Sequence, residues 1–186
     1  MYIKRLMPTF FGLVFVSFLL QYFIRILQVG GSESDDLFMG FGLFFSLWVV
    51  IVAKFSDIGA LLVGKAIGRT KLAPLISPGK TIEGLIGGFG ASAGMGALLP
   101  WIFLEKFSDV VYFGDWVFTP AQGALWGLVI ALSAVIGDLI ASVMKRLASM
   151  KDSGGAIPGI GGLFDLTDSL ILAAPTGYLI LFLLQK

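Results

Sequence analysis

The chain has 186 residues, of which 57% are hydrophobic and only 13% are charged. Soluble domains carry about 25% charged residues, so the composition excludes an ordinary soluble domain and indicates a protein embedded in lipid. With no Cys and no His, the chain has no disulfide, no thiolate chemistry and no imidazole base. Any metal site must therefore use oxygen ligands.

Five apolar stretches approach the roughly 20 residues that a helix needs to cross the hydrocarbon of a bilayer. They run from about Pro8 to Leu27, Leu37 to Phe55, Gly84 to Leu104, Ala121 to Val143 and Leu166 to Leu184. A cleavable signal peptide is not expected, because the first stretch is too long and has no small-residue cleavage site. No repeat or linker divides the chain, so we expect one all-α integral membrane domain over residues 1–186 with about five transmembrane helices.

Basic residues alternate with acidic residues in the loops between these stretches. Lys and Arg precede the first stretch and lie between the second and third and between the fourth and fifth, whereas the other loops are mainly acidic. Because Lys and Arg are retained on the cytoplasmic side, the N-terminus is predicted to be cytoplasmic and the C-terminus external. We expect a multi-pass protein of the cytoplasmic (inner) membrane.

The third stretch is rich in small residues at four-residue spacing, which allow helices in lipid to approach closely. The pairs are Gly84/Gly88, Gly87/Ala91 and Gly90/Gly94. A similar stripe of Ala60, Gly64 and Gly68 is expected just after the second helix. Both patterns predict tight helix packing.

Five acidic residues near the ends of the predicted helices fall on the cytoplasmic side: Asp57, Glu83, Asp138, Asp165 and Asp168. Asp57 is predicted to close the second helix. Asp138 should lie roughly 10 Å deeper than Lys145. Because a charge inside the bilayer is costly, Asp138 is expected to face the protein interior beside a cation.

Asp165 and Asp168 are spaced to lie on one face of a helix, one turn apart. Acidic residues also favour a helix start because they complement the helix dipole, and taken alone the pair is explained equally well in this way. Joined to Asp138, the pair predicts a three-carboxylate site for a hard cation. Mg²⁺ prefers such oxygen ligands together with substrate phosphate.

The segment from Ser77 to Gly84 combines a turn signal, a helix cap and a cation. Pro78 and Gly79 are predicted to form a turn, and Ser77 or Thr81 could cap the third helix. The amides of that helix would then point at an anion, with Lys80 adding a full charge. Phosphate binding is the favoured interpretation; a solvated basic loop that only sets topology is the alternative.

A second basic segment follows the fourth stretch. It consists of Ser142, Lys145, Arg146 and Lys151, followed by a glycine-rich loop that ends at Gly161 and Gly162. Glycines permit close backbone approach to a ligand. The loop lacks the order of a Walker A motif.

At these residues the sequence resembles the phosphatidate cytidylyltransferases, the CDP-diacylglycerol synthases, in a short five-helix form. The family pattern is a Ser, a Lys-Arg, a Lys-Asp, and a glycine-rich segment that ends in Asp-Arg-x-Asp. The matching residues here are Ser142, Lys145, Arg146, Lys151, Asp152, Pro158, Gly159, Gly161, Gly162, Asp165 and Asp168. Ser77 to Gly84 and the segment beginning at Asp57 are also similar, so the motifs extend from Asp57 to Ser169. Ile160 stands where the family has His, and Leu166 stands where it has Arg.

The resemblance implies transfer of CMP from CTP to phosphatidate, giving CDP-diacylglycerol and pyrophosphate in phospholipid biosynthesis. It implies Mg²⁺ on Asp138, Asp165 and Asp168, with a second cation such as K⁺. Lys145 is the expected catalytic cation. The expected substrate-binding residues are Ser77, Lys80, Thr81, Glu83, Asp57, Ser142, Arg146, Lys151, Gly161 and Gly162. The expected partners are CTP, a lipid phosphate and the bilayer, with no nucleic acid; a homodimer is one assembly that the resemblance allows.

Three other functions stay open on the sequence. A catalytically impaired relative is suggested by Ile160 and Leu166. A CTP-dependent polyprenol or phytol kinase would use a hydroxyl acceptor and release CDP. A transporter also fits intramembrane carboxylates, although its ionisable residues should lie near the midplane and not at one face.

Overall fold

The computed structural model describes residues 17, 19–28, 40–106, 112–113, 116–147 and 167–184. The helices in this part of the chain are α1 (residues 19–27), α2 (Gly40–Ile67), α3 (Ile82–Lys106), α4 (Pro120–Leu147) and α5 (Leu170–Leu184). Within these residues α2, α3 and α4 are long and apolar enough to cross a membrane, and α5 is a shorter apolar helix. The fold is helical and consistent with a membrane protein, as the composition predicted.

The outward faces of the helices carry large apolar side chains. Leu62 on α2 is 63% exposed, Ile86 on α3 66% and Leu125 on α4 59%. Exposed apolar surface on several neighbouring helices is unusual for a protein in water. Lipid is the solvent that suits it.

Helix α2 is longer than the sequence predicted at its C-terminal end. The predicted span ended near Phe55 and was closed by Asp57, whereas α2 continues to Ile67. The added turns pack on α3 through small residues: a Cβ at Gly64 would lie 3.0 Å from Thr81 Oγ1 and 3.6 Å from the Cα of Gly84. The prediction that Asp57 closes the helix is wrong, because Asp57 lies about three turns before the helix ends.

Small residues bring α2 and α3 into close contact, as predicted. A Cβ on Gly84 would lie 2.7 Å from the carbonyl oxygen of Ala60, and one on Gly88 would lie 2.8 Å from that of Ser56. The prediction is wrong for Gly90 and Gly94, which are exposed and would meet no atom within 4 Å. Four-residue spacing identifies helix faces made of small residues, but it does not show which of these faces contacts a neighbouring helix.

Helices α3 and α4 touch through their backbones. A Cβ at Gly96 would collide with the carbonyl of Gly123, and a Cβ at Gly123 would collide with that of Gly96. Pro100, one turn further along α3, packs against the same glycine of α4. Glycine is required at this crossing because neither helix has room for a side chain.

Trp48 completes the hydrogen bonding of α3 at this crossing. Pro100 has no N–H and cannot donate to the carbonyl four residues earlier, which belongs to Gly96. The indole Nε1 of Trp48 donates to that oxygen instead, at 3.1 Å. Trp48 is 1% exposed, so it lies against its neighbours and not against lipid.

The aromatic core lies around the first half of α2. Trp48 stacks on Phe45 at a centroid distance of 5.2 Å and meets the edge of Phe118 at 5.1 Å. Phe44 packs on Phe103 of α3 at 4.9 Å. Asp57 lies about 13 Å further along α2 than Trp48, at the rise of a regular helix. The apolar core and the polar site therefore occupy different halves of α2.

Two short antiparallel hairpins join the helices. Strands β1 (Lys71–Ala73) and β2 (Ser77–Thr81) lie between α2 and α3, and β3 (Tyr112–Phe113) and β4 (Trp116–Val117) lie between α3 and α4.

The first hairpin turns at residues 74–76, so the prediction of a turn at Pro78 and Gly79 is wrong. These two residues lie within β2. The register changes between the Lys71↔Thr81 and Ala73↔Ser77 pairs. A two-stranded sheet with irregular register accommodates a proline that cannot donate to the ladder.

Candidate active site

A cavity of about 400 Å³ lies where α2, the first hairpin, α3, α4 and the residues before α5 meet. Its lining is amphipathic. The polar side chains are Asp57, Lys80, Thr81, Asp138 and Asp168. The apolar side chains are Ala60, Leu61, Leu72, Leu85 and Val135. The cavity thus offers charged groups and an aliphatic wall to the same ligand.

Asp138 on α4 is held by two partners. Lys80 Nζ from β2 lies 2.5 Å from its Oδ2, and each of the two side chains is 24% exposed. Ser142, one turn along α4, donates to Oδ1 at 3.4 Å. The prediction that Asp138 faces the interior beside a cation is confirmed.

Asp168 lies two residues before α5 begins and carries the second carboxylate of the cavity. Lys145 Nζ lies 3.8 Å from Oδ2, and the backbone N–H of Ser169 donates to Oδ1 at 2.7 Å. Burial, and to a smaller extent the nearby charge of Asp138, raise the pKa of this carboxyl to about 6, opposed by the Ser169 hydrogen bond and by Lys145. Two carboxylates so placed favour a cation nearby.

Asp57 on α2 contributes the third carboxylate of the lining. Lys54, one turn earlier, lies 3.6 Å from its Oδ2 and donates to the hydroxyl of Ser169 at 2.8 Å. Neither Lys54 nor Ser169 was among the residues predicted from the motifs. A lysine within an apolar run, three residues before an aspartate, is a signal that could have identified Lys54.

The start of α3 is fixed by two side chains. Thr81 Oγ1 accepts a hydrogen bond from the N–H of Gly84 at 3.1 Å, so Thr81 and not Ser77 is the cap. Glu83 accepts hydrogen bonds from the backbone N–H groups of Arg69 and Thr70, each at 3.1 Å. Glu83 and Ser77 do not line the cavity.

Arg146 joins the end of α4 to the hairpin turn. Its Nε donates to the carbonyl of Ile76 at 3.4 Å, and it too lies outside the cavity lining. The structure thus brings together Lys80, Thr81, Asp57, Asp138, Ser142, Lys145 and Asp168. Lys151, Gly161, Gly162 and Asp165 lie outside the described residues, as do Ile160 and Leu166.

The donor chemistry of the cavity suits a hard cation. Asp138 and Asp168 offer carboxylate oxygens, and Mg²⁺ is commonly bound by one or two carboxylates together with waters and substrate phosphates. In the part of the chain that the structure describes, no three acidic side chains are close enough to hold a metal ion. A site on the described residues alone would therefore have two carboxylates.

The described helices are apolar enough for a membrane protein, and they enclose a cavity lined by aspartates that pair with lysines. A family model described as the cytidylyltransferase family matches residues 1–184, and the chain belongs to this family.

Three similar proteins are phosphatidate cytidylyltransferases. The Synechocystis protein is 43% identical over 129 residues, which are 69% of this chain and 40% of that protein. The Chlamydia trachomatis protein is 35% identical over 176 residues, 95% of this chain and 54% of that protein. The Haemophilus influenzae protein is 40% identical over 134 residues, which are 72% of this chain and 44% of that protein. The chain spans about half the length of these curated relatives.

Proposed function

We propose that this protein transfers CMP from CTP to phosphatidate, or a similar lipid phosphate, and releases CDP-diacylglycerol and pyrophosphate. The observation that carries the proposal is a cavity whose lining aspartates, Asp138 and Asp168, are paired with Lys80 and Lys145. The family match over nearly the whole chain supports the same reaction. The apolar wall of the cavity suits a substrate that has an acyl chain beside its phosphate.

The reaction forms one phosphorus–oxygen bond and breaks another. A phosphatidate oxygen attacks the α-phosphorus of CTP, and the bond from that phosphorus to the bridging oxygen breaks as pyrophosphate leaves. The attacking phosphate is already ionised, so no histidine base is needed. The protein has to position two anions and offset their charge, which are the main terms in phosphoryl transfer.

Three described basic residues would bind the phosphates. Lys80 of β2 lines the cavity, and Lys145 of α4 adjoins it through Asp168, so each lysine is paired with an aspartate of the lining. Arg146, one residue beyond Lys145, holds the hairpin turn with its Nε and would bind phosphate with its remaining N–H groups. Ser77, Thr81 and Ser142 would add hydrogen bonds, and Asp57 and Glu83 would orient the basic groups or the cytidine. From outside the described residues, Lys151, Gly161 and Gly162 belong to the same proposal.

Asp138 and Asp168, with Asp165, would hold Mg²⁺, which would supply charge neutralisation on the triphosphate; a second cation such as K⁺ belongs to the same proposal.

We also propose a single membrane-embedded domain with five spans, a cytoplasmic N-terminus and a site on the cytoplasmic side of the inner membrane. The arrangement of charges supports it. The C-terminal ends of α2 and α4 and the first hairpin carry Lys65, Lys71 and Arg146 together at one end of the bundle, whereas α3 ends on the opposite side with Glu105 beside Lys106. A homodimer would be compatible with this arrangement.

The test is incorporation of radiolabelled CMP from CTP into lipid by the purified protein in phospholipid nanodiscs with phosphatidate and Mg²⁺. We expect CDP-diacylglycerol and pyrophosphate in equal amounts. Asp138→Asn and Asp168→Asn should each lower kcat by about 10²–10³-fold, as the loss of one charge-stabilising group does in other enzymes. Glu105→Gln, at the far end of α3, is the matched control and should retain wild-type activity.

The products separate the competing functions. Release of CDP with a phosphorylated alcohol would identify a kinase. CTP binding without any CDP-lipid from a panel of lipid phosphates would identify an impaired relative. Wild-type turnover by both aspartate variants would refute the assigned site.

A further inference from the structure

Lys54 lies inside α2, in the part of the helix that faces α5. Its side chain is 32% exposed. The ammonium donates to Ser169 Oγ at 2.8 Å and lies 3.6 Å from the carboxylate of Asp57. One cation therefore connects the interior of α2 to the residues that lead into α5.

The contact with Ser169 extends to Asp168. Ser169 is completely buried, and its backbone N–H donates to Asp168 Oδ1 at 2.7 Å. The hydroxyl that accepts from Lys54 and the N–H that holds Asp168 belong to the same residue. Fixing Ser169 therefore fixes the direction in which the Asp168 carboxylate points.

The charges around the cavity give Lys54 a second role. Asp138 is paired with Lys80, and Asp168 is paired with Lys145. Asp57 has its ion pair with Lys54. Removing Lys54 would take the ion-pair partner from Asp57 and leave only the Ser169 hydroxyl and the more distant charge of Lys80 to offset a carboxylate in a membrane helix, where charge is costly.

We propose that Lys54 is a positioning residue of this site, whose ammonium fixes Asp57 and the Ser169–Asp168 segment so that both carboxylates face one cavity. The effect on turnover rests on the proposed cytidylyl transfer, whereas the coupling between Lys54 and its partners does not.

The coupling is tested by thermal unfolding of the purified protein in detergent, using Lys54→Met, Asp57→Asn and the double variant. Lys54→Met should lower Tm by several degrees, because Asp57 loses its ion-pair partner. The decrease in Tm of the double variant should be clearly smaller than the sum of the decreases in the two single variants, because the neutral amide of Asp57→Asn no longer needs a cation. Additive losses would overturn the proposal. Lys106→Met, on an exposed lysine at the end of α3, is the matched control and should leave Tm unchanged.

Turnover is tested with the same variants in the CTP assay. Lys54→Met should lower kcat by about 10–100-fold while KM for CTP changes by less than about threefold, since the residue orients the carboxylates and does not touch the nucleotide. Lys54→Arg keeps the charge and should recover much of kcat. Wild-type kcat in Lys54→Met, or equal impairment in both variants, would overturn the proposal. If the wild-type protein makes no CDP-lipid, the proposed function fails, and the unfolding cycle still decides the role of Lys54.

Discussion

Replacing Trp48 with Phe should destabilise the protein, because the Gly96 carbonyl would lose its hydrogen-bond donor. Pro100 leaves the Gly96 carbonyl without its helical donor, and the indole N–H of Trp48 supplies the replacement at 3.1 Å. Phe preserves most of the aromatic packing but has no donor. The carbonyl would then lie unpaired at a buried crossing, since Gly96 and Trp48 are both buried.

The magnitude follows from two limits. A buried polar group left without a partner costs about 1–3 kcal/mol, and interhelical hydrogen bonds in membranes average about 0.6 kcal/mol with a maximum near 1.7. Because the unfolded chain in detergent also finds partners, we expect about 1–2 kcal/mol from the hydrogen bond. The smaller ring adds a packing loss that a single variant cannot separate from it.

A double-mutant cycle with Pro100→Ala makes the separation. Alanine at this position restores the N–H that donates to Gly96, so Trp48→Phe should cost about 1–2 kcal/mol less in the Pro100→Ala background, while the packing loss cancels. The measurement is unfolding by SDS in mixed micelles, followed by circular dichroism. Trp101→Phe, on a side chain that is 51% exposed, is the control and should change little. An equal cost of Trp48→Phe in both backgrounds would refute the role assigned to the indole.

Three further predictions concern the helix contacts and the hairpin. Gly123→Ala should cost about 1–3 kcal/mol, because its methyl group would collide with Gly96. Gly94→Ala, in open space, should be neutral or slightly stabilising in the same SDS titration. If Gly123→Ala and Gly94→Ala changed stability equally, the close backbone contact between α3 and α4 would be contradicted. Thr81→Val should cost about 1 kcal/mol by removing the cap of α3, and an unchanged Tm would show that the cap is dispensable. Lys80→Met should raise KM for CTP or lipid phosphate at least tenfold in the CTP assay, and unchanged kinetic constants would remove Lys80 from the substrate site.

The sequence predicted the elements of the fold better than their ends. Apolar length located the long helices α2, α3 and α4, and small-residue spacing identified the α2–α3 contact at Gly84 and Gly88. The end of α2 was misplaced because a charge was taken as the limit of the helix, whereas packing against α3 extends the helix past Asp57. Hydropathy shows which residues are stable in lipid. It does not show where a helix ends, because a polar or small-residue segment stays helical where it packs against a neighbouring helix.

The sequence predicted which residues form the candidate site, but not which of them pair with each other. Burial of Asp138 required a cation, yet its partner Lys80 comes from a hairpin far away in sequence, and no local pattern connects the two. Lys54 was missed because it lies outside the motifs that carry the resemblance. Helix geometry alone places that lysine beside Asp57, and the fold brings it to Ser169.

The hairpin that carries Lys80 explains why residues outside the cavity matter to it. An isolated two-stranded sheet is marginally stable at best, so Lys80 needs support to remain beside Asp138. Arg146 holds the turn from α4 through the Ile76 carbonyl, and Glu83 holds the segment leading into β1 through the amides of Arg69 and Thr70. Both side chains were predicted from their motifs to meet substrate, and in the structure both are anchors of the hairpin. A motif residue can therefore serve the site by fixing the element that carries the reacting charge, and loss of activity on its removal would not by itself demonstrate contact with substrate.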